Sequence, residues 1–441
     1  MDGMNMKPRL PEDFVSRMEG QLGNELPAFL HALEEEPVRG IRLNPFKMAE
    51  GTEEYLQGSK IPWADEAYEL PADSEAGITI LHEAGAFYLQ EPGAMLPAAV
   101  LDARPGEKVL DLCAAPGGKS TQIGIAMHGE GLLVCNEPMP KRTRILSSNI
   151  ERIGLPNTIV TCSWPDRLAA KWPEGFDAVM VDAPCSGEGM FRRVPESRTE
   201  WSKEQARGCA QRQREILNAA AELVRPGGRL VYSTCTYNPE ENEENVVWFL
   251  QEHPDFEPEA YRIGGINAPE GQYTCFPHRM RTEGQFAAKF RKKGNQTKEL
   301  TEDRSLPRLL MDEAATLKRA FPTFPEATHK LGNTLIYLKE ECPDLQGIRI
   351  LRAGIHLGEV RGRIANPDHA AAMSIEPPDI QVLEVDAENA CRYMAGETIN
   401  AEEEGWLMIR YKGLILGWGK GSGGVVRNHL PKGLRNGRLI P

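Results

Sequence analysis

The stretch KVLDLCAAPGGKST, residues 108–121, decides the fold of this chain of 441 residues. Its apolar start is typical of a short buried strand, and its Pro-Gly-Gly turn opens a helix. The same alternation runs on as far as residue 292, and it predicts an α/β fold with a doubly wound, mostly parallel sheet. The predicted strands are KVLDLC, GLLVCNE, NTIVTC, FDAVMVDAP, RLVYSTC and FAAKFRK.

Three kinds of ligand loop compete for the segment DLCAAPGGKST. A phosphate-binding P-loop requires glycine where this chain has Cys113. The dinucleotide pattern G-x-G-x-x-G is missing, which argues against a nicotinamide oxidoreductase. What remains is a tight turn whose N–H groups, at a helix N-terminus, favour the carboxylate of an amino-acid-type cofactor. Glu137 ends the next strand, where an acid can bind a ribose diol, so these features together predict S-adenosyl-L-methionine.

Two cysteines each follow a predicted strand. Cys185 lies in FDAVMVDAPCSGEGMFRR, close to Asp182, and Cys235 lies in VYSTCTYNPEEN. Because the carboxyl ends of parallel strands meet at one edge of a sheet, we expect both thiols and Asp182 to come together there. A single cysteine at a strand end is more often inert packing. Two such cysteines at one sheet edge, beside a methyl-donor loop, indicate reactive thiols.

These residue types suit methyl transfer to carbon 5 of cytosine. That carbon is a poor nucleophile until a thiolate adds to carbon 6 and turns the ring into an enamine. A second thiol can assist loss of the carbon-5 proton and breaking of the C6–S bond, while Asp182 hydrogen-bonds the N3/N4 edge. From this chemistry alone the roles of the two cysteines stay open. The base must be unstacked or single-stranded to be reached.

The segment NPEENEEN follows Cys235 directly and predicts the start of a helix. Asn238 is expected as its N-cap and Pro239 at its first helical position, with acids complementing the helix dipole. This would place Cys235 close to a helix N-terminus, a setting that favours a thiolate.

The composition limits the class of protein. The net charge of −13 argues against nonspecific coating of nucleic acid. No window approaches 18 uninterrupted apolar residues, so we expect no membrane span. The N-terminus MDGMNMKPRLPEDF lacks an apolar signal core, so we expect a cytoplasmic protein. Nine scattered cysteines without a C-x-x-C pair argue against disulfides and metal sites. Residues 405–441 carry seven basic and no acidic side chains, a charge that suits contact with RNA phosphates. For the aromatic residues of this region, Trp406, Tyr411 and Trp418, packing is the more common role for at least two of the three. We expect a monomer.

Four motifs of the α/β region carry a family resemblance. DLCAAPGGKS, CNEP with KRTR behind it, DAPCSGEGMFR and STCTYNPEENE are similar to those of the Nop/Sun (RsmB/NOP-type) family of RNA cytosine-5 methyltransferases. The chain most closely resembles the RsmF-like 16S rRNA branch of that family. The resemblance implies that Cys235 attacks and that Cys185 assists release. It also implies a set of cofactor-binding residues: Cys113, Ala114, Ala115, Pro116, Gly117, Gly118, Lys119, Glu137, Arg142, Asp166 and Asp182.

The resemblance also implies the domain order. We expect an N-terminal RNA-binding α+β extension over 1–98 and a Rossmann-like class I S-adenosylmethionine-dependent methyltransferase domain over 99–293. A linker and small intermediate domain over 294–372 and a PUA-like β-barrel module over 373–441 would follow. The expected function is C5-methylation of a cytosine in ribosomal RNA, on free RNA or on the small ribosomal subunit. The alternatives are a tRNA cytosine-5 methyltransferase and a non-catalytic RNA-binding ribosome-assembly factor.

Overall fold

The computed structural model describes residues 7–295, 309–339 and 343–441. Residues 296–308 of the predicted linker and residues 340–342, which include Cys342, lie outside these ranges. In the described part of the chain no helix is long and apolar enough to cross a membrane.

An α+β unit begins the chain, as predicted. Its first helix places Phe14, Met18 and Leu22 on one face at helical spacing, and all three are buried. The unit also contains a three-stranded antiparallel sheet in the order β2-β1-β3. Its elements are α1 Glu12–Leu22, α2 Leu26–Glu34, β1 Arg39–Leu43, β2 Ala67–Leu70, α3 Ile80–Glu83 and β3 Phe87–Leu89.

The predicted doubly wound sheet forms the centre of the molecule. Its elements are α4 Pro92–Leu101, β4 Lys108–Asp111, α5 Gly118–Ala126, β5 Leu132–Asn136, α6 Pro140–Ile153, β6 Thr158–Thr161, α7 Pro165–Lys171, β7 Phe176–Asp182, α8 Ser197–Glu200, α9 Lys203–Leu223, β8 Val224–Thr234, α10 Glu243–Glu252, β9 Phe256–Pro258, β10 Tyr261–Ile263, β11 Ile266–Ala268, β12 Gln272–Cys275 and β13 Gln285–Lys292.

The order of the sheet confirms the predicted fold class. Strands β8-β7-β4-β5-β6 are parallel neighbours, and β13 and then β12 continue the sheet antiparallel beyond β8. The order reverses at β4, whose two neighbours β5 and β7 lie on opposite sides of it, and ligands bind at such a switch point. All six predicted strands are present. Both faces of the sheet are covered by apolar side chains, which is why its strands read as continuous apolar runs.

The predicted helix start behind Cys235 is wrong. The helix α10 begins at Glu243, four residues after Pro239. The Asn238 side chain accepts from the backbone N–H of Glu240, which closes a turn instead of capping a helix. The reason lies in tertiary contacts, because the side chains of Glu241 and Asn242 are buried and hydrogen-bonded to neighbouring segments. Cys235 therefore does not lie at a helix N-terminus.

The C-terminal part contains two further sheets, β14-β15-β17-β18 and β19-β21-β22-β23-β20. One of its strands, β16, instead extends the edge of the central sheet beside β6. Its elements are α11 Met311–Ala320, β14 His329–Leu331, β15 Thr334–Tyr337, β16 Ile350–Ala353, β17 Ile355–Arg361, β18 Ile364–Pro367, α12 His369–Met373, β19 Val382–Glu384, α13 Ala387–Met394, β20 Ile399–Asn400, β21 Gly405–Tyr411, β22 Leu414–Ser422 and β23 Val425–Asn428.

The aromatic residues of the last sheet pack rather than protrude. Trp418 and Tyr411 are buried, and Trp406 is half-buried against Phe321 and Trp418. Packing was the expected role for at least two of these three. The last sheet shares an apolar cluster with the N-terminal unit, so the two ends of the chain pack together.

Candidate functional site

One cavity lies at the carboxyl edge of the central sheet. Its floor is formed by the loop after β4 and by the ends of β7 and β8. Its walls come from residues 88–91 of the N-terminal unit and residues 283–285 before β13. Of the residues that the sequence predicted for the site, the following line it: Cys113, Ala114, Ala115, Pro116, Gly118, Lys119, Asp182 and Cys235.

The loop after β4 is held in a defined shape by its neighbours. Gly117 has φ +115°, a conformation that side chains rarely adopt, so glycine is required at this turn. The carbonyl of Ala115 accepts from Arg142 at 2.9 Å, and the carbonyl of Pro116 accepts from Asn149 at 2.9 Å. Burial raises the pKa of the Cys113 thiol well above its usual value, so this side chain is a neutral part of the wall.

Glu137 and Arg142 form a connected pair next to this loop. Glu137 is buried at the end of β5, and one of its carboxylate oxygens lies 3.0 Å from the Arg142 guanidinium. Arg142 thereby links the acid to the carbonyl of Ala115. Asp166 behaves differently, because it is exposed in the first turn of α7 and is not part of the cavity wall. A role for Asp166 at the cofactor stays a prediction.

Asp111 belongs to the site although it was not among the predicted residues. It ends β4, is buried, and accepts a hydrogen bond from the Ser120 hydroxyl at 2.6 Å. Burial, and secondly the nearby carboxylate of Asp182, raise the pKa of Asp111 to about 7. Its second oxygen, Oδ1, has no hydrogen-bond partner within residues 7–295, 309–339 and 343–441, although Asp111 lines the cavity. A ligand carrying an N–H donor would satisfy it.

Lys119 and Asp182 form an ion pair inside the cavity. The Lys119 ammonium donates to Asp182 Oδ2 at 2.8 Å, and the Ser233 hydroxyl donates to Asp182 Oδ1 at 2.7 Å. Burial alone would lower the pKa of Lys119, but the attraction of Asp182 outweighs it, so this pKa lies above its ordinary value. Lys119 is therefore a permanent positive charge, and it lies near enough to Cys235 to interact with it electrostatically.

The two predicted cysteines are in direct contact. Their sulfur atoms lie 3.2 Å apart, and the backbone N–H of Cys235 donates to the Cys185 sulfur at 3.3 Å. The hydrogen bond with Cys235, followed by burial, raises the pKa of the Cys185 thiol well above its usual value. Cys185 therefore keeps its proton and can donate it. Because Cys235 lines the cavity, it is the better placed of the two to contact a bound base.

A buried carboxyl group lies behind both cysteines. Glu241 accepts from the backbone N–H and the hydroxyl of Ser186, which follows Cys185 in the chain. The Ser186 hydroxyl in turn contacts that of Thr236, which follows Cys235, at 2.9 Å. This network fixes the separation of the two thiols. Burial outweighs these hydrogen bonds and raises the pKa of Glu241 from 4.5 to about 7.

The raised pKa of Glu241 predicts how stability depends on pH. Its carboxyl holds a proton in the folded protein at pH values where the unfolded chain has lost it. The free energy of unfolding should therefore fall as pH rises from about 4.5 to 7. Glu241→Gln cannot ionise, so its loss of stability between about pH 5 and pH 8 should be smaller by up to about 3 kcal/mol. Urea unfolding at both pH values measures this.

Glu244→Gln is the matched control, because Glu244 is exposed three residues further along. It should show the same pH dependence as the wild type. Parallel stability profiles for Glu241→Gln and wild type would contradict the assignment of this titration to Glu241.

The N-terminal unit holds the site together through buried acids. Glu91 accepts from the backbone N–H of Glu283 at 2.6 Å, and the Glu283 carboxylate pairs with Arg192 at 2.7 Å. Gly189 approaches so closely that a Cβ atom there would lie 2.5 Å from the carbonyl of Gly284. These contacts join three parts of the chain: the loop after Cys185, the segment just before β13, and the N-terminal unit.

Sequence reasoning missed several residues that line the cavity. Tyr88, Gln90 and Glu91 lie in the stretch YLQEPGAM, and Gln285 lies in FPHRMRTEGQF. Both stretches are far from the four motifs in sequence. The local signal for a site in the first stretch was the polar pair Gln90-Glu91, which directly precedes the proline that starts a helix.

Comparison with known proteins matches the whole length of the chain. A family model described as 16S rRNA methyltransferase RsmB/F matches residues 98–291. Models of the RsmF N-terminal domain, first C-terminal domain and PUA domain match residues 10–92, 314–375 and 380–436. Proteins called Ribosomal RNA small subunit methyltransferase F from Escherichia coli O139:H28 and Salmonella arizonae are each 31% identical over 98% of both chains.

Solved structures match about two thirds of the chain. A methyltransferase homolog protein from Pyrococcus horikoshii is 28% identical, with a TM-score of 0.56 over 64% of this chain and 95% of its own. NSun6 from the same organism, solved with SFG, is 22% identical with a TM-score of 0.56. It covers 65% of this chain and 99% of its own, and this likeness concerns the fold.

Proposed function

The chain belongs to the RsmF family of 16S rRNA methyltransferases, which use S-adenosylmethionine, and on that basis we propose that it methylates carbon 5 of a cytosine. The observation that carries the proposal is the contact of Cys185 with Cys235 beside the Lys119–Asp182 pair. A thiolate nucleophile is required for the cytosine-5 reaction, and a neutral thiol and a carboxylate can assist it. Methylation of a ring nitrogen or a ribose hydroxyl requires no cysteine.

The residues of the loop after β4 fit the amino-acid end of S-adenosylmethionine. The unsatisfied Asp111 Oδ1 can accept from an ammonium group, and the N–H groups at the start of α5 suit a carboxylate. Glu137, paired with Arg142 at the end of the neighbouring strand, is the acid that we assign to the ribose diol. When bound, the cofactor supplies an electrophilic methyl group.

We assign the attack to Cys235. Its thiolate adds to carbon 6 of a cytosine held in the cavity, which Cys235 lines. Asp182 accepts a hydrogen bond from the exocyclic amine while Ser233 and Lys119 hold its carboxylate in place. Carbon 5 thereby becomes nucleophilic enough to accept a methyl group.

Release is the task of Cys185. After methylation the carbon-5 proton must leave and the C6–S bond must break. The electron pair of the C5–H bond forms the C5=C6 bond, and the pair of the C6–S bond leaves with the sulfur. Cys185 lies 3.2 Å from this sulfur and, as a thiol, can protonate it. The thiolate that Cys185 becomes takes up the carbon-5 proton in the same elimination, directly or through water.

RNA enters over a rim that carries unpaired positive charge. Arg193 lies on the cavity rim and is exposed, and in the part of the chain that the structure describes it makes no ion pair. A guanidinium at this place suits the phosphate next to the extruded nucleotide. Residues 405–441 carry seven basic side chains and no acidic one, a charge that suits a second contact with RNA phosphates.

The proposal is tested by following the hydrogen on carbon 5. A 16S rRNA transcript made with cytidine tritiated at carbon 5 is incubated with S-adenosylmethionine and the protein. Methylation at carbon 5 releases tritium into water in equal amount to the methyl groups transferred. Methyl transfer without tritium release would refute cytosine-5 chemistry, and neither event on any RNA would favour a non-catalytic assembly factor.

The substrate is tested in the same assay. Free 16S rRNA, small ribosomal subunits and a tRNA pool are compared at equal cytosine concentration. We expect activity on 16S rRNA or on the subunit, as the names of the relatives suggest. A preference for tRNA would support the alternative of a tRNA cytosine-5 methyltransferase.

The Lys119–Asp182 pair yields a further prediction. Lys119→Met and Asp182→Asn should each reduce the rate of methyl transfer by roughly a hundredfold, because each leaves the other charge without its partner. If the pair acts as a unit, the double variant should be no slower than the slower single variant. Single-turnover rates measure this. Fully multiplicative losses would show that the two side chains act independently.

A further inference from the structure

Three buried polar atoms on the cavity wall have no hydrogen-bond partner among the residues described. They are Asp111 Oδ1, Gln90 Oε1 and Gln285 Nε2. The first two lie on the side of the loop after β4. Asp111 ends β4, and the Gln90 side chain lies over Gly118, where its Cδ would be 3.2 Å from an added Cβ atom. Gln285 begins β13, on the other side of the nucleophile's strand.

The strand order separates Gln285 from the cofactor loop. The sheet runs β13-β8-β7-β4, and neighbouring strands lie about 4.8 Å apart. Phe286 is paired with Thr234, so Gln285 lies next to Cys235 in the antiparallel register. Three strand spacings separate Gln285 from Asp111 at the end of β4, so the two lie about 14 Å apart across the sheet. A ligand group that contacts Gln285 therefore belongs to the substrate, not to the cofactor.

The side chain of Gln285 points to the same side of the sheet as Cys235. Ala287 and Val231 belong to the apolar cluster on one face of the central sheet. Gln285 lies two residues from Ala287 and Cys235 lies four residues from Val231. Side chains at such even spacings point to the same face of a sheet. Gln285 is only 2% exposed, and Gly93 of helix α4 packs against its Cβ. A buried donor held in this way against a cavity is a group that a bound molecule is expected to satisfy.

We propose that the carboxamide of Gln285 donates a hydrogen bond to O2 of the target cytosine. The inference rests on the proposed cytosine-5 methylation. Carbon 6 must lie at Cys235 and carbon 5 towards the methyl donor on the β7 and β4 side. In the ring, C2 is opposite carbon 5, so its oxygen O2 lies furthest from the donor, on the β13 side where Gln285 begins the strand.

The chemistry gives this contact a role in catalysis. When the Cys235 sulfur forms its bond to carbon 6, the electron pair of the C5=C6 bond is displaced through carbon 4 onto N3 and O2. A fixed N–H donor at O2 stabilises this developing charge. The pair is used in forming the bond from carbon 5 to the methyl group, which removes the charge from O2. When the carbon-5 proton leaves, its bonding pair restores that charge, and the charge is lost again as the C5=C6 bond forms and the C6–S pair leaves with the sulfur. Gln285 would thus act mainly on the covalent adduct.

The test compares Gln285→Met with the matched control Gln272→Met. Gln272 also has a buried carboxamide oxygen without a partner among the described residues, but it lies on β12 outside the cavity. Gln285→Met should lower kcat by roughly a hundredfold, with KM for rRNA within about threefold of wild type. Its melting temperature should not fall, because the lost N–H had no protein partner to lose. Gln272→Met should keep wild-type kcat.

A substrate change assigns the contact to O2. In rRNA transcribed with 2-thiocytidine, sulfur replaces O2 and accepts hydrogen bonds weakly. The wild type should slow on this substrate, and Gln285→Met should slow much less, because its contact is already lost. Equal slowing of both enzymes, or a kcat of Gln285→Met within about threefold of wild type, would overturn the proposal. A wild type that releases no tritium would overturn the proposed function as well, so the two failures are distinguishable.

Discussion

Replacing Cys235 by alanine is expected to reduce methyl transfer by roughly ten-thousandfold or more, the scale of loss when a covalent nucleophile is removed. Without the thiolate, carbon 5 of cytosine stays too weakly nucleophilic to take a methyl group. Single-turnover incorporation of labelled methyl groups into 16S rRNA measures the loss. The tritium assay should fall in parallel, because carbon-5 exchange also requires the adduct at carbon 6.

Two controls separate this loss from unfolding or loss of cofactor binding. Affinity for S-adenosylmethionine, measured by calorimetry, should stay within about threefold of wild type, because Cys235 is assigned no part in holding it. Cys391→Ala removes another partly exposed thiol, in the C-terminal module, and should keep full activity. Should Cys235→Ala keep more than about one hundredth of the wild-type rate, covalent catalysis by this residue would be excluded.

Replacing Cys185 by alanine should give the opposite kinetic pattern. Methyl transfer in the first turnover should stay within about tenfold of wild type, while steady-state turnover falls by roughly a thousandfold. The reason is that Cys185 is the thiol that lies 3.2 Å from the departing sulfur, and its raised pKa keeps it protonated. The enzyme should therefore accumulate as a covalent adduct with RNA, seen as a slow band on a denaturing gel.

The double variant Cys185→Ala/Cys235→Ala is the decisive control. It should form no adduct, because the attacking sulfur is gone. An adduct formed by Cys235→Ala but not by Cys185→Ala would mean that the two roles are exchanged. A Cys185→Ala enzyme that turns over normally would show that water alone completes the release.

Much of the fold could be read from local patterns. Strands in a parallel sheet are buried on both faces, so apolar runs such as FDAVMVDAP mark them without any knowledge of their neighbours. Connections in parallel sheets bring strand ends to one edge, which is why Cys185 and Cys235 could be expected in proximity. The structure brings their sulfur atoms into contact.

The error at Asn238 and Pro239 shows where local reading fails. The segment has the composition of a helix N-terminus, but the helix begins at Glu243. Burial of Glu241 against Ser186, a residue 55 positions away, outweighs the small local preference for a cap. Capping preferences amount to about 1 kcal/mol, so several buried hydrogen bonds can override them.

The sequence by itself determined the fold class, and it singled out the loop after β4 and the two cysteines as candidates, because each of these is signalled by a short local pattern. Only the tertiary structure decided how the site is closed. Glu91 and Glu283 are 192 positions apart, and their hydrogen bond joins the N-terminal unit to the wall of the cavity. The place of Gln285 beside Cys235 follows from the pairing of β13 with β8, which no local pattern specifies. Long-range pairing is selected by the packing of the whole core, and it decided which side chains line the cavity.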